Sequence, residues 1–110
     1  ELEVNGPESG KLLVVGWGGT YGHLLSAVQE VRETGADVSF AHFDYIMPLP
    51  RNTEKLFEKF DRILVCELNS GHFVNYLRGK FPQFKYEQFN KVQGQPFLVQ
   101  EITGAIKKNL

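Results

Sequence analysis

The stretch KLLVVGWGGTYGHLLSAVQEVRETG, residues 11–35, decides the fold. Its first part, Lys11 to Gly16, is a continuous apolar run of the kind found in strands buried on both faces. The last part spaces Leu24, Leu25, Ala27, Val28 and Val31 at three- and four-residue intervals before Gly35, which predicts an amphipathic helix of about three turns. Between them GWGGTYG, Gly16 to Gly22, has to turn a strand straight into a helix. Glycine permits positive φ and close backbone approach, and a helix start offers unpaired N–H groups, so the loop reads either as a tight turn or as an anion nest around Gly18, Gly19, Thr20 and Gly22.

The same unit recurs downstream. ADVSFAHF (36–43) reads as a second strand, and DYIMPLP as a proline-marked loop. In RNTEKLFEKF, Asn52 or Thr53 is placed to cap a short helix whose Leu56, Phe57 and Phe60 face inward. DRILVCEL (61–68) is another buried run, followed by NSG and by a helix carrying Phe73, Val74 and Leu77 on one face. FKYEQF (84–89) alternates as a strand, NKVQGQP makes a loop, and FLVQEITGAIKKNL spaces Phe97, Ile102 and Ile106 for a final helix. Strands alternating with helices predict an α/β fold, a mostly parallel sheet covered on both faces. Residues 1–10 are expected to be a flexible lead-in and residues 11–110 a single domain. The initial Glu1 and the polar ELEVNGPESG suggest a piece of something longer.

Composition narrows the function. With 12 basic and 13 acidic residues and a net charge of -1, the chain has no electrostatic footprint for nucleic acid. No run approaches a membrane span, and the single cysteine excludes an internal disulfide and a cysteine-based zinc site, which fits a cytoplasmic setting. The dinucleotide fingerprint fails on spacing, because Tyr21 stands where the third glycine belongs and Gly22 comes one residue late. No Gly-Lys-Ser/Thr tripeptide supports a nucleotide-phosphate loop. His23, His42 and His72 match no metal signature, so no metal site is expected. Cys66 inside ILVCEL reads as a small core residue, and Glu67 at the strand end as a helix cap or a contact to a partner. No catalytic residue is assigned. Aromatic residues in loops, Trp17, Tyr21, Tyr45 and Phe97, either fold back over the sheet or, with Glu67, form an interface to another domain or subunit.

Taken in order, GWGGTYG, HFDYIMPLP, LVCELNSGHF and VQGQPF followed by EI resemble the carboxyl-terminal domain of the α subunit of 2-oxoacid:ferredoxin oxidoreductases, with a lean to the 2-oxoglutarate branch. The resemblance covers Lys11 to Ile106 and implies a domain of the transketolase carboxyl-terminal type. It departs from the pattern at Gly19, where a serine is common, and at Ser70 and His72. It implies that the whole enzyme decarboxylates a 2-oxoacid oxidatively to an acyl-CoA. Thiamine diphosphate, magnesium, an iron–sulfur cluster and coenzyme A would be held outside this chain. The implied partners are the remaining domains of the α subunit, the β subunit and, through the whole enzyme, ferredoxin. The isolated chain would be inactive. A domain of another thiamine-dependent enzyme, such as a transketolase or the β subunit of a 2-oxoacid dehydrogenase, and a freestanding anion-binding module stay open as alternatives.

Overall fold

A computed structural model describes residues 1–44, 46–68, 71–91 and 97–110. The strands are β1 (Val4–Asn5), β2 (Gly10–Trp17), β3 (Val38–Phe43), β4 (Phe60–Glu67) and β5 (Tyr86–Asn90). A single 3-10 turn, Gly18–Thr20, leads into helix α1 (Tyr21–Arg32), and α2 (Thr53–Phe57), α3 (His72–Lys80) and α4 (Val99–Lys108) follow. The sheet order is β1-β3-β2-β4-β5, with every pairing parallel except that of β1 with β3. This is the predicted mostly parallel α/β sheet, and it is a three-layer sandwich.

Period-two alternation along the central strands explains the two cores. Leu13, Val15, Ile63 and Val65 point to one face, where Leu56 and Phe57 of α2 and Phe73, Val74 and Leu77 of α3 cover them. Leu12, Val14, Leu64 and Cys66 point to the other, under Leu24, Val28 and Val31 of α1 and Ile102 and Ile106 of α4. Because Leu12–Val15 of β2 and Ile63–Cys66 of β4 are buried on both sides, those stretches are continuous apolar runs with no polar alternation. No helix among the described residues is long and apolar enough to cross a membrane.

The first ten residues differ from the expected flexible lead-in. Val4 and Asn5 pair antiparallel with Ala41 and Phe40, and Leu2 is buried. The Arg32 guanidinium donates to both the backbone oxygen and the side-chain oxygen of Asn5, at 2.9 and 2.7 Å, and the Ser39 hydroxyl donates to the Pro7 carbonyl. Asn52 caps nothing: its amide accepts from Leu2 N–H at 2.9 Å and donates to the Leu2 carbonyl at 2.8 Å, copying a strand pairing with one side chain. The segment is polar in sequence because its hydrogen bonds, more than its apolar surface, hold it down.

Candidate functional site

The carboxyl ends of the parallel strands are where doubly wound sheets bind ligands, above all where successive connections leave in opposite directions. Here that switch point lies between the ends of β2 and β4, since β2 leads outward to β3 and β4 leads outward to β5. The glycine loop sits on one side of it and the β4–α3 turn on the other.

Packing and conformation both determine the loop. A Cβ on Gly16 would lie 2.1 Å from Leu24 Cδ1 and 2.8 Å from Thr20 Oγ1, so the close approach of α1 to β2 admits only glycine there. Gly18 takes φ of +70°, the left-handed region that favours glycine. The turn is then closed by its own polar groups. Thr20, buried, donates its hydroxyl to the Trp17 carbonyl at 3.2 Å. His42 reaches over from β3 and its Nε2 donates to the Gly18 carbonyl at 2.9 Å, which fixes the proton on that nitrogen because a carbonyl only accepts. Gly18, Gly19 and Gly22 are exposed, with open space where side chains would stand.

The hollow beside the loop has the wrong charge for an anion. Its volume is about 340 Å³, and Glu1, Glu3 and Asp44 line it together with Tyr21 and His42, without a lysine or arginine. Asp44 lies 3.5 Å from His42 Nδ1.

At the switch point the described side chains are engaged within the chain. Half-buried Trp17 lays its ring edge-to-face on Phe73 at the start of α3, with centroids 6.1 Å apart. Glu67, 1% exposed, accepts from the backbone N–H groups of Phe73 and Val74, both at 2.8 Å. These are first-turn donors that the helix cannot satisfy itself, so the carboxylate is a buried cap, committed to the fold. Sequence order hides this arrangement, because Glu67 caps across the intervening turn from six residues upstream.

The other singled-out residues separate. Tyr21 is 51% exposed, its ring edge-on to His42 at 5.3 Å and tilted against Phe40 at 5.7 Å. Phe97 is buried in the α1–α4 core and packs on Phe89 at 5.7 Å, inside the chain. Tyr45 lies outside the described residues, as does the Ser70 of the third loop. Exposed large apolar residues that the sequence reading passed over are Met47, 76% exposed in the β3–α2 loop, Leu98, 51% exposed before α4, and the terminal Leu110.

The cofactors that the resemblance implies can be tested against these side chains. Cys66 is fully buried, and burial, with the Glu67 charge beside it, pushes its thiol up to about 12, so it offers no thiolate to a cluster. Among the described residues no group of three or more His, Cys, Asp or Glu side chains is placed to hold a metal ion. The described residues fit neither an iron–sulfur cluster nor a magnesium diphosphate.

No protein-family model matches the chain. Among curated proteins it is 34% identical to the 2-oxoglutarate oxidoreductase subunit KorA of Mycobacterium tuberculosis over 100% of its own length and 17% of that protein's. It is 26% identical to the α subunit of 2-oxoacid:ferredoxin oxidoreductase 2 of Aeropyrum pernix, over 97% of this chain and again 17% of that protein. Among solved structures, the 2-oxoglutarate:ferredoxin oxidoreductase of Magnetococcus marinus, with 2-oxoglutarate, coenzyme A and succinyl-CoA bound, superposes with a TM-score of 0.90 at 22% identity, covering 99% of this chain and 19% of that one. A split-gene transketolase, an inactive β4 tetramer, superposes with a TM-score of 0.71 at 12% identity over 91% of this chain and 38% of its own. At these identities the two structural likenesses speak for the fold alone. The chain spans about a sixth of the length of the curated relatives it matches along its whole extent.

Proposed function

We propose that this chain, a homologue of the α subunits of 2-oxoacid:ferredoxin oxidoreductases, serves as a non-catalytic domain of such an enzyme, of the 2-oxoglutarate branch. Its work is to pack beside the domains that hold thiamine diphosphate, magnesium, the iron–sulfur cluster and coenzyme A. The assembled enzyme oxidatively decarboxylates the 2-oxoacid to an acyl-CoA and passes electrons to ferredoxin. One observation carries the reading: a chain matched to such a subunit from end to end uses its switch-point residues, Trp17, Phe73 and Glu67, on its own structure. Switch-point side chains committed to packing and capping within the chain support a scaffold role. The glycine loop is then a tight strand-to-helix turn at a domain boundary, and the carboxylates beside it speak against coenzyme A docking there. The cytoplasm is the compartment this chemistry implies.

The test uses the full-length α subunit with its β subunit and the 110-residue chain in parallel. The assembly reduces a viologen dye only when both 2-oxoglutarate and coenzyme A are supplied, and the chain alone does not. In thermal titrations the chain alone shows no shift with coenzyme A or with thiamine diphosphate plus magnesium. A ligand at 100 times its dissociation constant stabilises a fold by about 2.7 kcal/mol, so even moderate binding is visible. A clear rise with either cofactor would overturn the scaffold reading.

A further inference from the structure

Asn5–Gly6 is the single Asn-Gly dipeptide of the chain, and it lies where β1 ends. Asparagine followed by glycine can modify itself: the glycine backbone nitrogen attacks the side-chain carbonyl carbon, the bond from that carbon to the amide nitrogen breaks, and ammonia leaves. Water then opens the resulting succinimide ring at either carbonyl, giving aspartate or isoaspartate. The balance is one water taken up for one ammonia released, with nothing oxidised or reduced. Glycine favours the attack because no Cβ crowds its nitrogen. The other asparagines precede Thr53, Ser70, Tyr76, Lys91 and Leu110, which all carry that atom.

The fold takes hold of both carbonyl oxygens that this chemistry must move. Arg32 Nη1 donates to the Asn5 backbone oxygen at 2.9 Å, and Nη2 of the same guanidinium donates to Asn5 Oδ1 at 2.7 Å. The guanidinium lies so close over the Asn5–Gly6 peptide that a Cβ on Gly6 would stand 2.1 Å from Nη1. Pairing of Val4 and Asn5 with Ala41 and Phe40 fixes the backbone as well. In a succinimide the two oxygens point apart on either side of the ring nitrogen, with the glycine Cα between them, so one planar fork cannot keep both. Ring closure therefore requires Arg32 to let go and β1 to come away. Gly6 is exposed, so water reaches the ring once it has formed.

We propose that Asn5 is a self-modifying site, deamidated only in the moments when β1 opens, and that Arg32 is the latch that sets its rate. The two products act on the strand in opposite ways. Aspartate leaves the backbone as it was and offers Arg32 a carboxylate in place of an amide, a charge-assisted bond stronger than the one it replaces. Isoaspartate inserts a methylene into the main chain, so the pairing of Val4 with Ala41 and the bond from Ser39 to Pro7 can no longer both be kept. The first product relocks the amino-terminal strand and the second releases it.

The 110-residue chain and a peptide of residues 1–10 are incubated side by side at neutral pH. Mass spectrometry follows the gain of one dalton at Asn5, and electron-transfer fragmentation separates aspartate from isoaspartate. Expected is deamidation at least tenfold slower in the chain than in the peptide, and at least fivefold faster in Arg32→Lys, which keeps the charge but loses the fork, than in the parent chain. Asn52→Ala should also accelerate it, because it releases Leu2 without touching Asn5 or Arg32. Circular dichroism melts show whether both variants remain folded, and a series in urea below the unfolding midpoint needs no variant at all: the Asn5 rate should follow hydrogen exchange of the β1 amides, at a lower urea dependence than global unfolding. Equal rates in chain and peptide overturn the latch, as does an Asn5 rate that tracks global unfolding. A rate in folded Arg32→Lys at or below the parent's overturns it too, since the guanidinium would then be idle or would activate the amide. No acceleration in Asn52→Ala counts against opening of β1 as the gate.

Discussion

Replacing Glu67 by alanine should be the most costly single change at the carboxyl ends of the strands. Its carboxylate accepts two backbone N–H bonds at 2.8 Å from Phe73 and Val74 and is 1% exposed, so water cannot replace it. A hydrogen bond to a charged group contributes about 1.5–3 kcal/mol, and a buried donor left unpaired costs a similar amount. Part of that is recovered if the turn relaxes, which places the loss for Glu67→Ala at about 3 kcal/mol. Glutamine keeps the shape and one acceptor but aims an NH₂ group at an N–H, so Glu67→Gln should lose about 2 kcal/mol. Unfolding entropies near 2.1 cal/mol/K per residue make 1 kcal/mol worth roughly 4 °C in a chain of 110 residues. Alanine should therefore lower the melting temperature by roughly 13 °C, and in urea, with a slope of about 1.5 kcal/mol/M, the midpoint should fall by about 2 M. Circular dichroism of the isolated chain measures both. A loss below about 1 kcal/mol for alanine, or glutamine costing more than alanine, would refute the buried-cap argument.

Other residues give sharper contrasts. Gly16→Ala should cost about 1–3 kcal/mol through the collision with Leu24 and Thr20, whereas Gly18→Ala, with open space around it, should cost only the strain of its positive φ, about 1 kcal/mol; the two chemical-denaturation midpoints rank them. Cys66 should not react with a thiol-specific disulfide reagent at pH 8 until the chain unfolds, and rapid native labelling would contradict its burial. The same thiol makes stability pH-dependent with a defined sign. Its folded value, about 12, exceeds the unfolded 9.0, so the folded state keeps the proton longer and stability is full below pH 9 and declines as the pH rises from there towards 12. Cys66→Ala should flatten that alkaline slope in a urea series. Asn52→Ala removes both bonds to Leu2 and should cost about 1–2 kcal/mol, with faster amide exchange confined to residues 2–5.

How much of this was legible in sequence depended on whether the signal was local. Strands β2 and β4 and helices α1 and α3 announced themselves because burial on both faces writes a continuous apolar run, and one-sided burial writes a helical period. Strand β1 did not, since two residues carry no period and its anchors, Asn52, Arg32 and Ser39, lie 27 to 50 positions away or on another strand. Asn52 looked like a cap because its type and position suit one, and only the folded chain shows that Leu2 claims its amide first. Glu67 was recognisable as a strand-end carboxylate, but which donors it would meet depended on the path of a turn. Phe97 looked like a loop aromatic because it precedes the α4 pattern, yet Phe89 on the neighbouring strand draws it inside. Met47 and Leu98 left no periodic trace at all, because exposure is a property of what fails to cover a residue.

Trp17, the only tryptophan in the chain, stands against Phe73 at the seam between β2 and the start of α3. The molecule thus carries its own optical gauge at that seam. Excitation at the red edge reports only this indole, its emission wavelength tracks how dry the seam is, and a dissolved quencher dims it in proportion to its access. Loosening of this seam on unfolding could be timed in a stopped-flow instrument without attaching any dye.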